Sequence, residues 1–90
     1  MKNKFVTYGD GYADVTLSRP LDVNGAKLST IRLREPTVRD QLAASKVSSD
    51  DAEQEIALAA NLSDIAPDDI KGLTSRDYTR VRQALLGFLD

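Results

Sequence analysis

The chain has 90 residues, 41% apolar and 29% charged, which suffices for one small domain with a modest core and leaves no room for a deep active-site cavity. It contains no Cys and no His, which removes disulfides, thiolate chemistry, the usual zinc ligand sets and the imidazole general base. Of the supports that small domains lean on, self-association remains.

The formal charge of -2 is unevenly spread. Residues 1 to 36 carry six Lys or Arg against four Asp or Glu, residues 37 to 73 three against eight, and residues 74 to 90 three against two. A nucleic-acid binder normally shows a basic stripe, so an acidic middle argues against nucleic acid as a partner. No stretch approaches the roughly 20 apolar residues of a membrane span, and the opening Met1 to Thr7 has no hydrophobic signal core. A soluble, intracellular protein with no membrane partner is the expectation.

Residues 1 to 11 end in Gly9-Asp10-Gly11, which punctuates rather than continues a strand. Two readings are open: a flexible N-terminal arm, or an extra edge strand built from Phe5, Val6 and Tyr8. From Tyr12 the period is two, with Ala13, Val15 and Leu17 alternating against Asp14, Thr16 and Ser18. Asn24-Gly25 follows, the dipeptide favoured in two-residue type I′ turns because both positions take positive φ. Leu28, Ile31 and Leu33 then run to Glu35-Pro36, which completes a β-hairpin over residues 12 to 35.

This hairpin contains a conflict. A two-residue turn at Asn24-Gly25 sets Leu17 opposite Arg32 and Val15 opposite Arg34, while Ile31 and Leu33 point to the other face. One additional residue in either strand restores a single apolar face, and Pro20, which cannot donate to a ladder, marks the place for such a bulge.

Past Pro36 the pattern becomes helical. Thr37 with Asp40 caps a helix over about 37–46, with Val38 and Leu42 on one face. Asp50-Asp51 opens a second over about 50–63, carrying Ala52, Ile56, Ala59 and Ala60, widened by Leu58 and Leu62. Ala66-Pro67-Asp68-Asp69 begins a short turn of helix over about 67–72, closed by Gly72. Thr74 with Asp77 caps the last helix, about 75–89, whose stripe is Tyr78, Val81, Leu85 and Phe88. The expected fold is α+β: an N-terminal β-hairpin followed by about three helices, one domain over residues 12 to 90.

Val15-Thr16-Leu17 with Pro20, the Asn24-Gly25 turn, Ile31 to Arg34 with Pro36-Thr37 and Asp40, and Leu73 with Asp77 before an apolar C-terminal helix form one pattern. In these positions the chain resembles the tail assembly chaperones of contractile-tailed, Mu-like phages, over roughly residues 12 to 90. The resemblance implies a non-catalytic chaperone in the host cell cytoplasm that binds the phage tape measure protein, aids tail tube assembly and is then shed. It also implies a longer form made by translational frameshifting that recruits tail tube protein, while self-association is expected from the small, Cys- and His-free chain.

Leu86 and Leu89 make the last helix apolar around more than half of its circumference. Either the whole surface is core, or these two lie beyond the arc the core needs and bind another subunit or an apolar helix of the tape measure protein. Tyr78, Arg80 and Arg82 on the same helix complete the candidate partner-binding set. Arg32, Arg34, Arg76, Arg80 and Arg82 have three readings: solvated faces, salt bridges to the acidic second helix of a neighbouring subunit, or phosphate contacts.

An alternative function is a small helix-turn-helix-like DNA-binding regulator spanning Ala52 to Arg82. It would bring Asp68 and Asp69 first into the major groove, where repulsion counts against it. Asp50-Asp51 and Asp68-Asp69 are accounted for by capping, and Asp10 to Asp14 is only a fragment of a calcium loop. No catalytic, cofactor or metal residue is assigned, and an enzyme is not expected.

Overall fold

The computed structural model describes residues 4–89, which open with a three-stranded antiparallel sheet. Its strands are β1 (Val6–Gly9), β2 (Tyr12–Val23) and β3 (Ala26–Arg34), in that spatial order. The flexible arm over residues 1 to 11 gives way to the edge-strand reading, since Val6 pairs with Val15 and Gly9 with Tyr12. Residues 1–3 of that segment lie outside the described residues. Asn24 (φ 53°) and Gly25 (φ 84°) both take the left-handed conformation that the tight turn between β2 and β3 requires.

The register conflict is resolved inside β2. Next to the turn, Leu21 faces Leu28 and Val23 faces Ala26, as a two-residue loop dictates. Past an irregularity, Thr16 faces Thr30 and Val15 faces Ile31, so that Leu17 to Pro20 of β2 stand against Ser29 alone. Three residues are inserted where one was expected. Both numbers are odd, so either corrects the parity, and Ala13, Val15, Leu17, Leu21, Ile31 and Leu33 are all buried.

Four helices follow: α1 (Val38–Ser45), α2 (Asp51–Ser63), the single turn α3 (Pro67–Ile70) and α4 (Ser75–Gly87). Thr37 and Asp40 form a reciprocal capping box on α1, and Asp50 accepts hydrogen bonds from Ala52 and Glu53 amides at the start of α2. Against the inner face of the sheet, α4 packs on β2 and β1, and α2 packs on β3. They close a core to which Ala59, Ala60, Leu62, Ile65, Ile70, Val81, Ala84 and Leu85 contribute. The alanines let helix and sheet approach closely, while Ile70 and Val81 fill the space between. Helix α1 packs on α2 and buries Ala44 alone of its residues.

At the start of α4 the expected capping box forms only by half. The Thr74 hydroxyl accepts from the Asp77 amide, but the Asp77 carboxylate turns inward and is 1% exposed. There it accepts hydrogen bonds from the amides of Ser18 (2.8 Å) and Arg19 (3.3 Å), two donors that the bulge has taken out of the ladder. Arg80, one turn on, donates to the Thr16 carbonyl at 2.8 Å and lies 3.9 Å from the same carboxylate. Bulge and helix thus satisfy each other's polar groups in the interior.

Burial alone would push the Asp77 carboxyl up, but the Ser18 and Arg19 amides and the Arg80 charge outweigh it and hold it below its ordinary value of 3.8. Asp77→Ala would leave two partly buried amides without a protein acceptor, and the expected loss in denaturant unfolding is about 2 kcal/mol, against less than about 0.5 for Asp68→Ala on the surface. Asp14 and Asp40 are depressed as well, chiefly by hydrogen bonds from Arg32 and Arg34. Carboxylates with lowered folded values contribute stability that is complete above the unfolded value and is lost as pH falls from there through the folded value. With no His to add a neutral-range step, unfolding free energy against pH is expected to be flat from about pH 8 to 5 and to drop below about pH 4.

Candidate partner-binding surface

Helix α4 is seated by its Asp77, Val81, Ala84 and Leu85 side, and everything the helix shows to solvent follows from that seating. Tyr78, Arg82, Leu86 and Leu89 succeed one another at intervals of four, four and three residues and form one outer row. Its first half is spent within the chain. The Tyr78 hydroxyl donates to Glu55 of α2 at 2.7 Å, and Arg82 Nε pairs with the same carboxylate at 3.0 Å. Burial, then the Glu55 hydrogen bond and charge, push the Tyr78 hydroxyl above its ordinary value, so it stays a donor across the accessible pH range. The second half is unspent: Leu86 is 62% and Leu89 65% exposed.

Arg80, grouped with Arg82 at the sequence level, does not join that row. Its guanidinium lies 3.4 Å from the centre of the Phe5 ring and bonds to the Thr16 carbonyl, so it clamps the sheet edge to α4. A second clamp lies one turn further on. The Tyr8 hydroxyl donates to the Ala84 carbonyl at 2.8 Å, and its ring meets Phe88 edge-on with centroids 5.3 Å apart. Gly87 fits under this contact because a Cβ there would run into the Tyr8 ring and hydroxyl. Phe88 is thereby half-covered, which leaves Leu86 and Leu89 as the apolar end of the helix.

Beside the row runs an open groove of about 520 Å³ between α2, α3 and α4, lined by Ile56, Leu73 and Tyr78 with Glu55 and Arg82 at its wall. Apolar floor and charged wall together suit the side of an amphipathic helix better than a small polar molecule.

The two arginines of β3 are placed by internal pairs as well. Arg32 makes two hydrogen bonds to Asp14 and lies over the Tyr12 ring, and Arg34 grips Asp40 through two nitrogens. The acidic α2 meets Arg82 and Lys71 of its own chain through Glu55 and Glu53. For the helix-turn-helix alternative, the segment that would have to enter a groove is α3, a single turn of four residues headed by Asp68 and Asp69. Among the described residues no helix is long and apolar enough to cross a membrane, and no group of three or more acidic residues is placed to hold a metal ion.

Sequence reasoning missed Asp77 as an anchor and missed the exposed face of α1, where Val38 is 72% and Leu42 57% exposed. For Asp77 a signal existed: it stands four residues before Val81, on the apolar stripe of α4, where a solvated capping residue has no reason to be.

Comparison with curated proteins and with solved structures gave no match. A family model described as "Phage tail assembly chaperone proteins, E, or 41 or 14" matches residues 14–90, from the first paired strand of the hairpin through α4, and the chain belongs to that family.

Proposed function

We propose that this tail assembly chaperone acts without catalysis, by binding the phage tape measure protein through the apolar end of α4. The observation that carries the reading is the pair Leu86 and Leu89, each more than half exposed on a helix whose other large apolar side chains are wholly or partly buried. Membership of the family supports the tail assembly role. The groove beside Tyr78 and Arg82 continues the same surface, so that a client helix laid along the row would meet leucines at one end and a Glu55–Arg82 pair at the other. Tyr78 and Arg82 border the contact, and Arg80 acts behind it by holding α4 on the sheet.

On this reading the protein works in the host cell cytoplasm, self-associates, and in a longer frameshifted form recruits tail tube protein. Carrying a long client requires apolar surface that is available before assembly and released afterwards, and two leucines outside the core supply it with no rearrangement of the domain.

Burying a leucine fully is worth about 1.5–3 kcal/mol, so changing Leu86 and Leu89 together to Ser is expected to weaken capture of the co-expressed tape measure protein by about 100-fold or more. The thermal midpoint is expected to move by no more than about 3 °C, because neither side chain is in the core. Quantitative pull-down and calorimetry check the two halves. Unfolding of the double variant would return both residues to the core, and unchanged capture would move the client to another surface.

A further inference from the structure

The eight residues of α1 are inverted relative to an ordinary surface helix. Asp40 and Ala44, one turn apart, face the domain: the Asp40 carboxylate receives Arg34, the Thr37 amide and the Asn61 side chain, and Ala44 is buried. That anchoring turns the opposite side outward. It carries Val38 and Leu42, four residues apart, with Arg39 and Lys46 three before and four after Leu42, and Val47 just past the helix. Val38, Leu42 and Val47 are 72%, 57% and 62% exposed.

Two cations flank this apolar face and give it a charge signature. Lys27, Arg32, Arg34, Lys71, Arg80 and Arg82 each stand within ion-pair distance of a carboxylate of the same chain. Among the described residues Arg39 and Lys46 have no such partner, a lack they share with Lys4, Arg19 and Arg76, and these two are exposed beside Leu42. Two positive charges without a carboxylate partner thus stand around an exposed apolar pair in the acidic middle of the chain. The surface complementary to it is an apolar row with carboxylates alongside.

We propose that the outer face of α1 is a second docking site, separate from the α4 surface, and that it takes an acidic amphipathic helix. Leucine-type side chains of the partner would rest on Val38 and Leu42, and its Glu or Asp residues would meet Arg39 and Lys46. The cations set which helix is accepted, since exposed pairs add little affinity while like charges at the same places repel.

The test uses the full chain and two synthetic helical peptides with one leucine row, flanked by Glu in the first and by Lys in the second. Fluorescence anisotropy at low and at physiological salt is expected to show the Glu peptide binding about tenfold more tightly than the Lys peptide, with the gap narrowing as salt rises. Arg39→Glu with Lys46→Glu is expected to reverse that preference. Val38→Ser with Leu42→Ser is expected to abolish binding of either peptide with an unchanged thermal midpoint, and Leu86→Ser with Leu89→Ser to leave it intact. Equal binding of the two peptides, or loss confined to the Leu86 and Leu89 variant, overturns the proposal. So does a dimer in light scattering that only the Val38 and Leu42 variant dissociates, because the face would then belong to a second copy. None of these outcomes alters the α4 reading, which has its own client and its own variant.

Discussion

One carboxylate holds the architecture in register. Asp77 occupies a site where a charge without partners would be strongly destabilising, and it is tolerated because the β2 bulge delivers two amides that have themselves lost their ladder partners. Each half needs the other: the partly buried bulge amides would lack a protein acceptor, and a buried carboxylate without donors would cost more still. Their meeting fixes the rotation of α4 about its axis. Rotation in turn decides that Val81, Ala84 and Leu85 are interior and that Leu86 and Leu89 are not. The composition of the proposed partner surface is therefore set some three turns away from it, by a hydrogen-bonding requirement of the sheet.

Much of this was legible in the sequence because it rested on local chemistry. The Asn24-Gly25 turn, the Thr37–Asp40 box, the Asp50 cap and the termination of α2 at Ser63 are each dictated by neighbours within a few residues. The parity conflict between Val15 and Ile31 made an insertion necessary, and Pro20 placed it correctly. Its length could not be read, because it depends on where α4 offers acceptors for the displaced amides, a contact between residues 59 apart. The same limit applies to β1, whose four mostly exposed residues carry little periodic signal and are held by Tyr8 and Phe5 reaching α4.

Helix α1 shows how periodicity finds a helix without orienting it. Val38 and Leu42 share a face, as the spacing indicates, yet a polar hub at Asp40 outweighs two aliphatic side chains in deciding which face turns inward. An apolar pair can be left in solvent at modest cost in so short a helix, whereas rotating Asp40 outward would break its bonds to Arg34 and Asn61. Within the candidate site, the sequence separated Leu86 and Leu89 from the core by counting faces. It could not separate Arg80 from Arg82, since only the position of Phe5 and the Thr16 carbonyl sends one inward to the sheet and the other to Glu55.

The clamp between Tyr8 and Ala84 joins residues 76 apart, and the bulge amides wait on a residue nearly as distant. Contacts of that span must close a long loop before they return any stabilisation, so they form after local structure rather than before it. Helices α1 and α2 pack on each other across a short stretch of chain, whereas the bulge of the hairpin finds its acceptor only in α4. A chain growing from its N-terminus thus keeps the Ser18 and Arg19 amides bonded to water until Asp77 is available, and the inner face of the sheet stays uncovered for as long. In the folded domain it is the last helix that completes the polar pairing of the first strands.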